Sequence, residues 1–206
     1  MSLKNKSVLI SIRPEWCDLI VRGKKTIEVR KTRPKLETPF KVYVYCTKIP
    51  DWLRTVSYEW QRLGGKVIGE FVCDEISRLT HVAAMRSSAP DKLYIETLDF
   101  QYEYADELFR AACLSEAAVE GYLEGGDGFC WHISDLKIYD QPKPLADFSR
   151  YDFRGMNGTN VCGNEDCEHY QPSGSYMLPP TCAINGCYLS KPPQSWCYIA
   201  TAEEDV

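Results

Sequence analysis

Gly23-Lys24-Lys25-Thr26-Ile27-Glu28-Val29-Arg30-Lys31 sets a turn glycine, a lysine, a carboxylate and an arginine at one helix-to-strand junction. Upstream, residues 15–22 predict a short helix. Pro14 suits its first turn, where a missing N–H has no partner to lose. Trp16, Leu19 and Ile20 stand at i, i+3 and i+4 and share one face. Gly23 falls where a left-handed C-terminal cap favours glycine. Beyond it, alternation puts Ile27 and Val29 on one side and Thr26, Glu28 and Arg30 on the other. The strand presents a carboxylate and a guanidinium side by side, with Lys25 at its mouth. Two readings follow. Glu28 and Arg30 are an ion pair that satisfies only itself, as many such networks are, or they are the polar edge of a ligand site.

Further strand signals fall at 7–13, 41–47, 66–76, 129–138 and 195–200, all rich in β-branched or aromatic residues. Helix signals fall at 51–63 and about 105–124. Asp51 is a plausible N-cap for the first of these, with Trp52, Val56 and Trp60 on one face. The second breaks near Leu114, and Ser115 caps a following piece that ends at Gly125-Gly126. Tyr139 to Arg150, with Pro142 and Pro144, reads as an extended linker. Strands interleaved irregularly with helices predict an α+β fold, and a barrel with inserted helices satisfies the order.

With Val8-Leu9-Ile10-Ser11-Ile12-Arg13-Pro14 before it, the opening segment resembles the G-x-K-x-x-E-x-R signature of ASCH domains, small β-barrels of the PUA-like superfamily. The match covers Gly23, Lys25, Glu28 and Arg30. Gly65 to Phe71 and Gly128 to Leu136 resemble later strands of that family, and Gln194 to Ile199 its closing strand. The resemblance covers most of residues 7–148 plus the last strand. It implies a main domain over 1–150, a Cys-rich insertion over 151–193, and a closing strand with a tail over 194–206.

Composition narrows the class. The chain has 206 residues, of which 44% are hydrophobic, enough for one domain with a packed core. No run of 18 apolar residues is present, which argues against a membrane span. The N-terminus lacks the apolar stretch of a signal peptide, so the expectation is a cytoplasmic protein with reduced thiols. The net charge of −5 conceals a segregation, because residues 22–35 carry seven bases against Glu28. Residues 91–127 carry ten acids against Lys92 and Arg110. An acidic protein with one basic strip does not coat nucleic acid indiscriminately. The strip is either a solvated surface or a guide for phosphate toward the signature.

Ten cysteines form two populations. Cys17, Cys46, Cys73, Cys113, Cys130 and Cys197 are scattered and read as small apolar residues. Cys162 and Cys167, then Cys182 and Cys187, are two short pairs joined by a loop. That pattern suits tetrahedral zinc, with two thiolates from each turn. Gly163, Asn164, Asn185 and Gly186 supply turn chemistry. The four-residue spacer inside each pair is looser than the usual two, and His169 is the alternative ligand if one cysteine is unused. Residues 155–190 have almost no aliphatic core, so a structural Zn²⁺ is expected to organise them. Four thiolates leave no open position for catalysis.

Three functions stay open. The resemblance implies recognition of RNA or a modified nucleobase. A held base needs a stacking surface and a polar edge reader. Trp16, Tyr45, Trp52, Trp131 and Trp196 are aromatic candidates, although packing claims most tryptophans. Trp16 and Trp131 join Lys25, Glu28 and Arg30 as the ligand-binding set. The second function is hydrolysis, since some ASCH proteins resemble amidohydrolases of acylated cytidine and others ribonucleases. Lys25 and Glu28 are then the catalytic base and acid, or, in a nuclease, Lys25 and Arg30 stabilise a phosphorane with a tyrosine or His132 as proton shuttle. The amidohydrolase pattern carries a threonine three residues after the lysine, and this chain has Glu28 there. The third is a protein partner held by the zinc loop, whose Glu165, Asp166 and Glu168 disfavour nucleic acid.

Overall fold

The computed structural model describes residues 6–49, 63–81, 93–96, 102–150, 170–178, 180–182, 189 and 191–200. The helix expected over 51–63 and three of the paired cysteines (Cys162, Cys167 and Cys187) therefore lie outside the described residues, as does His169. The side chain of Cys182 does as well.

In chain order the elements are β1 (Lys6–Ile12), α1 (Pro14–Val21), β2 (Ile27–Arg30), β3 (Phe40–Cys46), β4 (Lys66–Cys73), β5 (Ile76–His81), β6 (Leu93–Glu96) and β7 (Tyr102–Tyr104). They continue with α2 (Asp106–Ala112), α3 (Glu116–Leu123), β8 (Gly128–His132), β9 (Ser134–Pro144), a single 3-10 turn (Leu145–Asp147), β10 (Tyr170–Gln171), β11 (Thr181–Cys182) and β12 (Trp196–Ala200). The strands pair into two five-stranded sheets, ordered β12-β1-β3-β4-β9 and β2-β8-β5-β6-β7, with a small β10-β11 hairpin. The α+β class is as expected. The described pairing leaves both large sheets open, so a barrel closed by hydrogen bonds is not what these residues form.

The chain divides into two compact units. The first comprises Met1–Ile12, Val42–Gly69 and Tyr139–Val206. Its β1 runs parallel to β3 and antiparallel to β12. Val8 to Ile12 are buried on both faces of the strand, which explains an unbroken apolar run in place of alternation. Leu9, Tyr43, Val67, Phe148 and Ile199 form its core, with the Tyr43 ring edge-on to Phe148 at 5.1 Å. Tyr45 is buried here too, and burial pushes its hydroxyl above the ordinary value, with Cys46 adding to the shift.

The second unit comprises Arg13–Lys41 and Glu70–Ile138. Its core joins Ile27 and Val29 of β2 to Leu79, Leu93 and Cys130 of the sheet, and to Leu108, Phe109, Val119 and Leu123 of α2 and α3. The helix pair breaks as expected. Cys113 takes a left-handed conformation (φ 55°) after α2, and the Ser115 side chain then accepts a hydrogen bond from the Ala118 N–H at 3.2 Å, capping α3. Among the described residues no helix is long and apolar enough to cross a membrane.

Candidate functional site

The site is built at the corner between α1 and β2. Helix α1 starts at Pro14 and buries Cys17 and Ile20, while Trp16 and Leu19 are half-buried. The apolar face is thus turned one residue toward Cys17 from the expected stripe. Leu19 O accepts from the N–H groups of both Lys24 and Lys25, at 2.8 and 3.0 Å, and Ile20 O accepts from Gly23 N–H. Gly23 makes this possible with φ +66°, a left-handed conformation that costs a residue with a Cβ far more. The turn delivers Lys25 into the interior.

Three consecutive residues then stitch the corner to the end of α2. Lys25 Nζ donates to Ala112 O at 2.7 Å, Thr26 N–H donates to Ala111 O at 2.9 Å, and the Cys113 thiol donates to Lys24 O at 3.3 Å. Ala112 is the last residue of α2, so Lys25 places a cation on the negative end of that helix. Its other neighbours are Glu28 Oε2 at 3.3 Å and the Trp16 ring, whose centroid lies 5.4 Å away. On the strand, Arg30 Nη2 lies 3.0 Å from Glu28 Oε1. Glu28 therefore bridges two cations. All three side chains are buried: Lys25 is 2% exposed, Glu28 7% and Arg30 9%.

Strand β2 pairs antiparallel with β8, so that Ile27 opposes His132, Glu28 opposes Trp131 and Arg30 opposes Phe129. Trp131 is wholly buried and packs edge-on against Phe40, with centroids 5.9 Å apart at 81°. It forms part of the wall behind Glu28, and a base cannot stack on it in this arrangement. His132 stands beside Ile27 and, by alternation, on the face opposite Glu28 and Arg30. It contacts Ser77 and is not placed at the Lys25 corner. Tyr45 and Trp196 belong to the first unit, and Trp52 lies outside the described residues. The corner thus gathers Lys25, Glu28, Arg30 and Trp16. It also involves Ala112, which local sequence signals do not reveal because it lies 87 residues from Lys25.

A family model for the ASCH domain matches residues 10–109, the stretch that contains this corner. The chain carries an ASCH domain. No curated protein matches the chain. The chain is also similar to solved structures over part of its length. The crystal structure of ASCH from Zymomonas mobilis is 23% identical, with a TM-score of 0.43, over 68% of this chain and 73% of that one. The structure of a single-residue variant of the same Zymomonas mobilis protein is 24% identical, with a TM-score of 0.44, over 68% of this chain and 74% of the other.

Around the ASCH signature the basic strip is partly neutralised. Arg22 pairs with Asp18 at 2.8 Å, and Lys31 pairs with Glu124 at 3.0 Å and lies over the Tyr122 ring. Lys24, Arg33 and Lys35 are exposed on the same segment. Of the scattered cysteines of the second unit, Cys17, Cys73 and Cys130 are buried as packing residues, whereas Cys113 is half-buried and tied to Lys24 O. Cys73 and Cys130 are fully buried, and burial pushes both thiols up to about 12.

Proposed function

We propose that this ASCH domain recognises RNA or a modified nucleobase at the Lys25–Glu28–Arg30 corner. One observation carries the reading: a carboxylate held between two cations, all three buried, in a small domain. Such a cluster is a poor way to gain stability, since well-packed apolar residues of similar volume often do as well or better. Its chemistry suits a base edge. The carboxylate accepts from amino or imino N–H groups, and the planar guanidinium offers paired donors to carbonyl or phosphate oxygens. Lys24 and Arg33, exposed outside the corner, supply longer-range attraction for phosphate. The Lys25 ammonium contacts internal partners, so no observation favours the hydrolase alternative in which Lys25 is a base.

The test is binding at low salt of short single-stranded RNAs and a panel of modified nucleosides to wild type and Arg30→Lys. That change keeps the charge and removes the fork, and it is expected to weaken base-selective binding about tenfold, near the low end for a bidentate contact. Lys24→Ala and Arg33→Ala are expected to weaken RNA binding of every sequence and to lower the salt slope by about 1 each. No binding by wild type, or the same affinity in Arg30→Lys, rejects the proposal. Mass spectrometry of the same mixtures detects hydrolysis directly, as a product that Lys25→Ala abolishes.

We also propose that Cys162, Cys167, Cys182 and Cys187 hold a structural Zn²⁺. The hairpin register supports this, since Tyr170 opposes Cys182. Tyr170 and Cys182 thus stand side by side at one end of the hairpin, three residues after Cys167 and five before Cys187 in the sequence. Between the strands, Ser173 and Ser175 tie a turn that leaves Tyr176, Met177 and Leu178 exposed, a surface that suits a protein partner better than RNA. Elemental analysis of protein purified without added metal is expected to return about one zinc per chain, the stoichiometry of a closed four-ligand site. Zinc-free, iron-free protein refutes the site.

A further inference from the structure

A second cluster of reactive groups lies in the same unit, away from the Lys25 corner. Strands β5 and β8 pair antiparallel with Ser77 opposite Cys130. The diagonal neighbour of Ser77 on the same face is His132, and in this geometry such side chains come within reach. Ser77 Oγ lies 3.2 Å from His132 Nε2. On its other side it donates to Glu75 Oε1 at 3.1 Å. The backbone fixes both partners, because His132 N–H donates to Glu75 O at 3.0 Å. Leu79 and Cys130, deeper on the same face, are fully buried, whereas Ser77 and His132 are half-buried and Glu75 is exposed. The hydroxyl therefore stands where an apolar wall meets solvent, between an imidazole nitrogen and a carboxylate.

We propose that Ser77 is a nucleophile activated by His132 and that the site takes neutral carboxylic esters. A serine hydroxyl within hydrogen-bond reach of an imidazole nitrogen is the minimal arrangement for activation. Glu75 selects the substrate class, because a carboxylate beside the attacking oxygen repels phosphodiesters and other anions. In the step, the hydroxyl first turns its single proton from Glu75 Oε1 to Nε2; Oγ then attacks the ester carbonyl carbon as that proton moves to Nε2. The tetrahedral adduct collapses, the bond from carbonyl carbon to alkoxy oxygen breaks, and the leaving alkoxide takes the proton from Nε2. Water then attacks the acyl-serine, gives its proton to Nε2, and releases the carboxylic acid as Ser77 recovers its hydrogen. No metal or redox partner is required. The site is independent of the proposed RNA recognition, since His132 and Glu28 stand on opposite faces of the sheet.

The experiment uses p-nitrophenyl acetate as the probe, with peptide mapping of the acetylated full-length protein. Acetyl is expected on Ser77 in wild type and absent in Ser77→Ala, a change that removes a single oxygen. His132→Gln is expected to slow Ser77 acetylation by about 100-fold or more, the usual contribution of a positioned general base. Circular dichroism confirms that each variant is folded. Should His132→Gln fail to fold, sulfonylation of wild type by phenylmethylsulfonyl fluoride takes its place, and the label is expected at Ser77. No acyl or sulfonyl group on Ser77 of wild type, or an unchanged rate in folded His132→Gln, overturns the proposal. RNA affinity measured on Ser77→Ala is expected to equal that of wild type, which keeps this result separate from the fate of the Lys25 corner.

Discussion

Glu28→Ala is expected to destabilise the protein by about 3–5 kcal/mol, the range for removing one partner from a buried ion pair. The reason is what it leaves behind. Lys25 and Arg30 are 2% and 9% exposed and both contact the Glu28 carboxylate. Without it, two cations stay close together in a poorly solvated corner, and the chain must rearrange to hydrate them. Replacing all three together, as Lys25→Met, Glu28→Leu and Arg30→Met, removes the charges as a set and is expected to be nearly neutral or even stabilising. Urea unfolding of both proteins, with m-values compared, measures the difference. A loss below about 1 kcal/mol in Glu28→Ala, typical of exposed pairs, would show that water already reaches the network in solution.

Trp131→Ala is the second large effect, expected at about 3–5 kcal/mol because a large aromatic core side chain is deleted from a site that collapses only partly. Trp131 is fully buried, meets Phe40 edge-on, and opposes Glu28 across the β2–β8 pair. The cavity therefore opens beside the charged corner, and water entering it would hydrate Glu28. The two sites share a boundary, so their effects are not expected to add. In the Glu28→Ala, Trp131→Ala double variant the total loss is expected to fall short of the sum by at least about 0.5 kcal/mol, the lower end for residues in contact. Thermal unfolding of the four proteins closes this cycle. Exact additivity would mean that the tryptophan does not insulate the ion network.

Much of the corner was legible locally. Pro14, Gly23 and the alternation of Ile27 to Arg30 place α1, its left-handed cap and β2 without any distant information, and Ser115 marks the start of α3. What was not legible depends on sheet position or on contacts far along the chain. Pro142 and Pro144 made Tyr139 to Arg150 read as a linker, yet β9 extends through Pro144. It does so as an edge strand, where a residue without an N–H removes no ladder bond on its open side. Strands β6 and β7 were missed because they are four and three residues long inside an acidic stretch. Whether the strands close into a barrel depends on strand order, which alternation within one strand does not encode. The same limit hides the pairing of Ser77 with His132, which are 55 residues apart. The Glu28–Arg30 pair was legible as a pair. Its bridge through Lys25 to a helix end was not, since nothing local to residue 25 identifies Ala112.

That bridge also orders events during synthesis. Lys25 leaves the ribosome 87 residues ahead of the carbonyl that will receive its ammonium, and Glu28 leaves well ahead of Trp131 in the strand that will cover it. Until α2 and β8 have been made, the signature strand is a solvated stretch with its charges in water, and only their arrival strips that water away. Long-range pairings of this kind are slow to close. The signature strand is therefore made well before the elements that seal it, and it stays open to passing partners throughout the interval.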